Sequence, residues 1–258
     1  MIPSTQSLAA HVSHALSIMS ADIVFRVDLP HGRCVGVRVD NTIQAGSLTA
    51  LADEERDFLA TLSPARKPTW LAGRIALHAA LRDMGLDAGP ILATRRGAPE
   101  LPEGVTGSIS HKRSLAVALA ARGHAGLSIG VDIEPVPATP PSAAEPGWDR
   151  RPDISGRVMT PEELSALAAL PDGMRRREIV LHFSIKEALY KAINPLIGRY
   201  VSFQEASVLP HSDGSVSVTL ALAKHEGPFS AEARWSEIDG HLLTTAAVRR
   251  QGAPATLP

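Results

Sequence analysis

Leu127-Ser128-Ile129-Gly130-Val131-Asp132-Ile133-Glu134-Pro135 is the stretch on which the reading of this chain turns. Leu127, Ile129, Val131 and Ile133 alternate with Ser128, Gly130, Asp132 and Glu134, the period-two pattern of a β-strand. That period puts Asp132 and Glu134 on one face, with Cα atoms about 7 Å apart. Carboxylates that close repel unless a cation neutralises them. Mg²⁺ suits such a pair, because it takes one or two carboxylates and completes its shell with phosphate and water. Gly130 leaves room for another backbone or a ligand to approach. Taken alone, Asp-x-Glu is also an ordinary pair of solvated acids at a strand end.

About 50 residues further on stands Phe183-Ser184-Ile185-Lys186-Glu187-Ala188-Leu189-Tyr190-Lys191-Ala192. At about 100° per residue, Ser184, Glu187 and Lys191 share one stripe of a helix. Lys186 lies about 100° from Glu187 and reaches the stripe only through its long stem. The helix is expected from about Arg175 to Ile193, ended by Pro195, which biases Asn194 away from helical geometry. Thr160-Pro161-Glu162-Glu163 upstream has the form of a capping box, with Thr160 as N-cap and Glu163 as the N3 carboxylate.

Towards the N-terminus, Ile23, Phe25 and Val27, then Val35, Val37 and Val39, read as a hairpin. A helical pattern starts near Leu51, and a second helix is expected from Pro68 to Met84, stopped by Gly85. Short strands follow at Gly107–His111 and Leu115–Ala120. Towards the C-terminus, Asp213-Gly214 and Asp239-Gly240 are hairpin turns. Val136–Pro152, rich in Pro, Ala and Ser, reads as a surface loop. Strands, helix and strands thus occur twice. The expectation is an α+β fold of two pseudo-symmetric halves, residues 1–125 and 126–258, with the site at their interface.

Basic residues cluster in the first half. Arg66, Lys67 and Arg74 bracket the start of the second helix. Arg95 and Arg96 precede a Gly-Ala-Pro turn, and His111 ends a strand before Lys112-Arg113. Guanidinium forks suit phosphate because they bind two oxygens at once. Each cluster taken singly also fits a solvated charged surface.

The bulk numbers narrow the function classes. The chain has 258 residues, 44% hydrophobic and 21% charged, with a net charge of −1. Nothing global suggests nucleic-acid or membrane binding. One cysteine, Cys34, excludes an internal disulfide and a cysteine-based zinc site. No apolar run reaches the roughly 18 residues of a membrane span. The opening Met1-Ile2-Pro3-Ser4 lacks a basic leader, so no signal peptide is expected and the cytoplasm is the expected compartment.

Read together, the segments resemble the 4′-phosphopantetheinyl transferases, most closely the enterobactin-synthesis type. Arg66-Lys67-Pro68-Thr69-Trp70-Leu71-Ala72-Gly73-Arg74 is similar to the family's first motif. Gly97-Ala98-Pro99-Glu100-Leu101-Pro102 with Gly107-Ser108-Ile109-Ser110-His111 is similar to the next. Gly130–Glu134 and Phe183–Ala192 resemble its two core motifs, with Asn194-Pro195-Leu196 and Phe203 following in order. The resemblance covers about residues 50–210. Ile185 replaces a smaller residue, and Ala98 stands where the surfactin-synthesis type carries a lysine.

The resemblance implies transfer of the 4′-phosphopantetheine arm of coenzyme A to a serine of an apo acyl or peptidyl carrier protein, with release of 3′,5′-ADP. It implies Mg²⁺, with Mn²⁺ as a substitute, held by Asp132, Glu134 and Glu187. Lys186 and Lys191 would contact the phosphates, and Arg66, Arg74, Arg96 and His111 would grip the nucleotide phosphates of coenzyme A. Glu187 is the best-placed base for the serine proton. Siderophore, polyketide, peptide-synthetase and fatty-acid carriers all fit. The Arg175-Arg176-Arg177 run is a candidate patch for an acidic carrier helix. One chain carries both halves, so a monomer is expected. A non-catalytic regulator that binds coenzyme A or a carrier, and a metal-dependent phosphodiesterase, are the alternatives.

Overall fold

The computed structural model describes residues 23–39, 48–112, 114–124, 126–137 and 153–252. The chain divides into two compact units, Met1–Arg122 and Gly123–Pro258. Arg113 and most of the proline-rich stretch, 138–152, lie outside the described residues.

In the first unit, β1 (Ile23–Leu29) and β2 (Gly32–Arg38) form the expected hairpin. Helices α1 (Asp53–Thr61) and α2 (Lys67–Asp83) follow, then β3 (Val105–Lys112) and β4 (Leu115–Arg122). The sheet is antiparallel in the order β1-β2-β4-β3. Pro68 sits in the first turn of α2, where its missing N–H and fixed φ suit a helix start. Leu77, Ala80 and Leu81 of α2 share a buried core with Val35, Val37 and Ala118 of the sheet. Gly73 lets α2 lie close to β3, since a Cβ there would come within 2.8 Å of Ile109 Cγ2.

A buried carboxylate fastens α1 to this helix. Glu55, fully buried, faces His78 Nε2 with both oxygens, at 2.9 and 3.0 Å. It also accepts from the backbone N–H groups of Ile91 and Ala52. Burial alone would push the Glu55 carboxyl pKa up; His78 and the two N–H groups outweigh it and hold it below the usual value.

The second unit begins with β5 (Leu127–Pro135). Helices α3 (Ser155–Val158), α4 (Pro161–Ala168) and α5 (Asp172–Ile197) follow. Then come β6 (Ala206–Pro210), β7 (Ser215–Leu220), β8 (Phe229–Ile238) and β9 (His241–Arg250). This sheet is also antiparallel, in the order β5-β9-β8-β7-β6. Asp213-Gly214 turns β6 into β7. Asp239 and Gly240 turn β8 into β9 with φ of 47° and 71°, the left-handed pair that a two-residue hairpin needs. The Thr160 capping box forms: Glu163 N–H donates to Thr160 Oγ1, and Thr160 N–H donates to Glu163 Oε2.

Helix α5 has 26 residues and spans about 39 Å. It is longer than expected at both ends, and Pro195 lies inside it rather than ending it. Leu196 and Ile197 pack on the core, and Arg250 donates to the Leu196 carbonyl. Those contacts outweigh the pre-proline bias at Asn194. Gly198, at φ 72°, makes the actual cap, its N–H on Asn194 O.

Among the described residues, no helix is long and apolar enough to cross a membrane.

Candidate active site

The site is built where α5 crosses β5 and β9. Gly130 decides how closely they approach: a Cβ there would lie 1.9 Å from Ala188 O and 2.9 Å from Ala192 N. The helix backbone therefore rests on the strand at this point. Ala188 and Ala192, both fully buried, keep the contact thin. One turn before Ala188 is Ser184, and one turn after Glu187 is Lys191. The helix-facing set of β5 is Ser128, Gly130, Asp132 and Glu134, so the stripe read from sequence meets the carboxylate face.

Asp132 is the joint. Its Oδ1 accepts from Lys191 Nζ at 2.8 Å, and its Oδ2 accepts from Ser184 Oγ at 2.9 Å. Lys191 also donates to the Val131 carbonyl at 3.0 Å. Directly across the ladder from Asp132 stands Thr244 of β9. Its hydroxyl lies 2.9 Å from Ser184 Oγ and donates to Ser184 O, also at 2.9 Å. Asp132 and Glu134 are both buried, and Glu187 is half-buried on the same helix.

Two buried carboxylates on one strand face, with hard oxygen donors, fit a divalent cation that prefers oxygen. Among the described residues, however, no group of three His, Cys, Asp or Glu side chains is arranged to hold a metal ion unaided. The expected trio of Asp132, Glu134 and Glu187 is thus not assembled as a closed cage. Mg²⁺ that binds beside phosphates completes its shell with substrate oxygens and water.

The two lysines of the helix part company. The Lys191 side chain is 25% exposed and that of Lys186 is 1% exposed. Lys186 Nζ donates to Glu163 Oε2 at 2.7 Å, to Val158 O at 2.8 Å and to Phe203 O at 3.1 Å. An ammonium has three donors, and all three are used inside the protein. Burial lowers the Lys186 pKa, and Glu163 only partly opposes that shift. The rotation of about 100° from Glu187 carries Lys186 to the α3–α4 side, away from the stripe of Ser184 and Lys191. Glu163 completes the anchor, accepting from Val208 N–H through Oε1.

The basic residues of the first unit are spread over α2, the turn at Arg96 and β3. Arg66 is exposed at the N-cap of α2. Arg74, two turns on, is 4% exposed, with its guanidinium carbon 4.9 Å from the Trp70 ring centroid. Phe58 backs that ring at 5.4 Å. Arg74 Nε is buried without a hydrogen-bond partner. Burial lowers the Arg74 pKa to about 10 despite the Glu55 charge. Arg96 is exposed in the turn closed by Thr94 N–H on Ala98 O. His111 is exposed on β3, opposite Ala116.

The arginine run at the start of α5 is largely engaged within the chain. Arg175 donates to the carbonyls of Leu170 and Ala168 and pairs with Asp172. Arg177 pairs with Glu237 and lies 5.2 Å from the Trp235 ring centroid.

Two residues of the site escaped the sequence reading. Thr244 lies on an apolar face, Leu242, Ala246 and Val248, and a polar residue at that register was the available signal. Glu163 was legible only as a capping residue; its second role depends on a lysine 23 residues away.

Asp132 is thus clamped by a lysine and a serine from one crossing helix, and the comparisons with known proteins specify the class of protein. Residues 54–121 match the 4′-phosphopantetheinyl transferase N-terminal domain, and residues 128–246 match the 4′-phosphopantetheinyl transferase superfamily. The chain is 32% identical over 218 residues to 4′-phosphopantetheinyl transferase Svp of Streptomyces mobaraensis, covering 81% of each chain. It is 29% identical to enterobactin synthase component D of Salmonella typhimurium, covering 78% of this chain and 82% of that one. The holo-ACP-synthase structure from Plasmodium yoelii aligns with 50% of this chain and 99% of its own, at 19% identity and a TM-score of 0.39.

The chain belongs to the 4′-phosphopantetheinyl transferase superfamily. Its reaction is the transfer of phosphopantetheine from coenzyme A to a carrier protein.

Proposed function

We propose that the crossing of α5 over β5 is the reaction centre of this transfer, in a cytoplasmic, Mg²⁺-dependent enzyme that acts as a monomer on apo acyl or peptidyl carrier proteins. The observation that supports this most is Asp132, whose two oxygens are oriented by Lys191 and Ser184 of one helix.

In this reading the carrier serine oxygen forms a bond to the phosphorus on the pantetheine side of the pyrophosphate. The bond from that phosphorus to the bridging oxygen breaks, and its electron pair leaves with 3′,5′-ADP. Glu187 accepts the serine proton, directly or through a water. Lys191 keeps a partly exposed ammonium beside Asp132, from which it stabilises charge on the phosphate oxygens. Asp132 and Glu134, joined by Glu187, hold the metal, which when bound neutralises pyrophosphate charge and polarises its oxygens. Lys186 acts as a buried anchor that fixes the register of Glu187, the next residue on the helix. Arg66, Arg74, Arg96 and His111 grip the nucleotide phosphates. The orphaned Nε of Arg74, whose guanidinium carbon lies 4.9 Å from the Trp70 ring centroid, supports that role for the first unit.

A panel of apo carriers incubated with coenzyme A and Mg²⁺ tests the proposal. The expected result is one carrier gaining the mass of a single phosphopantetheine arm with equimolar 3′,5′-ADP, and no gain in EDTA. No gain across the panel contradicts it. Tight coenzyme A binding without turnover would favour the regulator, and 3′,5′-ADP without a carrier would favour the phosphodiesterase.

A further inference from the structure

We infer that Thr244 is a positioning residue for Asp132, acting through the hydroxyl of Ser184; the inference deepens the proposed reading of Asp132 as a metal-holding carboxylate and rests on it. Three contacts connect these residues: Thr244 Oγ1 to Ser184 O, Thr244 Oγ1 to Ser184 Oγ, and Ser184 Oγ to Asp132 Oδ2, each 2.9 Å. Only two hydroxyl protons fill them, because an ionised carboxylate donates none. The assignment that serves the carboxylate has Ser184 donating to Asp132. The Thr244 proton is then turned back on Ser184, shared between its carbonyl and its Oγ.

This arrangement resolves a competition. A serine inside a helix can turn its proton onto the carbonyl four residues earlier. For Ser184 that carbonyl belongs to Val180. A proton arriving at Ser184 Oγ from Thr244 strengthens the donation to Asp132 and opposes that turn, since chained hydrogen bonds polarise one another. Ser184 and Thr244 are both 0% exposed, so neither hydroxyl reaches bulk water. Thr244 is placed for the task by register: it is the residue directly across the ladder from Asp132, on the helix-facing side. Its described hydrogen bonds run to Ser184, which in turn donates to Asp132.

The test compares Thr244→Val, which keeps the shape and removes the hydroxyl, with Thr244→Ser, which keeps the hydroxyl. Calorimetry with Mn²⁺ titrated into the coenzyme A complex, without carrier, is the first readout. Thr244→Val is expected to bind Mn²⁺ roughly tenfold more weakly, as for other outer partners of metal ligands. Thr244→Ser is expected to restore wild-type affinity, and metal-free coenzyme A affinity is expected to stay unchanged in both. Wild-type Mn²⁺ affinity in Thr244→Val, or failure of Thr244→Ser to restore it, overturns the inference. Should Thr244→Val not fold, Thr244→Ala also removes the hydroxyl, and wild-type affinity there overturns the inference equally. A crystal structure of Thr244→Val is the second readout, with Ser184 expected to turn from Asp132 to Val180 O. If the wild-type coenzyme A complex binds no Mn²⁺ at all, the metal reading falls. The crystal structure still decides the hydrogen-bond relay, which an unmoved Ser184 overturns.

Discussion

Lys191 Nζ lies 2.8 Å from Asp132 Oδ1, and this ion pair joins the helix motif of the chain to its strand motif across 59 residues of sequence. Replacing Lys191 by Met should leave the fold intact, because the side chain is partly exposed and its stem is retained. Transfer should fall by about a hundredfold, the typical loss when one charge-stabilising donor is removed. Steady-state kinetics on a modified carrier check it, with kcat falling more than KM rises.

Lys186 should behave in the opposite way. Lys186→Met leaves the Glu163 carboxylate buried without its partner and should destabilise the protein by about 3–5 kcal/mol. Adding Glu163→Gln removes the stranded charge and should recover most of that loss. Urea melts measure both steps. Coenzyme A titration of the double variant then separates anchor from ligand: wild-type affinity fits the anchor, and a large loss would restore Lys186 to the phosphate site.

Gly130→Ala tests the close crossing of α5 over β5. The added Cβ meets the Ala188 carbonyl at 1.9 Å, and backbone on both sides must give way. A loss of about 3 kcal/mol is expected. Chemical denaturation checks it, and a neutral result would mean that the helix can slide off the strand at little cost.

Arg66 stands at the exposed start of α2 and is proposed to meet the 3′-phosphate. Arg66→Ala should raise KM for coenzyme A about tenfold, as loss of a charge-assisted contact of roughly 1.5 kcal/mol implies. With dephospho-coenzyme A as donor the effect should largely vanish. Equal losses with both donors would remove Arg66 from the 3′-phosphate.

The Glu55 node gives the stability curve an acid limb. Its folded pKa lies below the ordinary carboxyl value of 4.5, so the folded state binds fewer protons than the unfolded one. The stabilisation is therefore complete above about pH 4.5 and is lost as pH falls through the depressed folded value. Glu55→Gln should lower stability at neutral pH and flatten its decline below about pH 4.5. Urea midpoints across that range check the sign.

Local pattern carried most of the fold. Alternation at Ile23–Val39 and Leu127–Glu134, the Thr160 box and the Asp-Gly turns all signal through residues close in sequence, and all formed as read. The stripe of Ser184 and Lys191 was legible for the same reason, since helical period alone puts them on one face. What pattern could not carry was long-range choice. Lys186 had two directions to point, and Glu163, Val158 O and Phe203 O decided it. Pro195 read as a stop because the packing of Leu196 and Ile197 is invisible locally. The partners of Arg175 and Arg177 were illegible because Asp172, Glu237 and Trp235 meet them only in the folded unit.

The central claim is that Asp132 and Glu134 of β5 hold the metal for the transfer. Calorimetric titration of Mn²⁺ into the coenzyme A complex tests it most directly, using wild type, Asp132→Asn and Glu134→Gln. The account predicts one saturable Mn²⁺ site in the wild type, lost or strongly weakened in each variant while both remain folded. Wild-type Mn²⁺ affinity in both folded variants would contradict it.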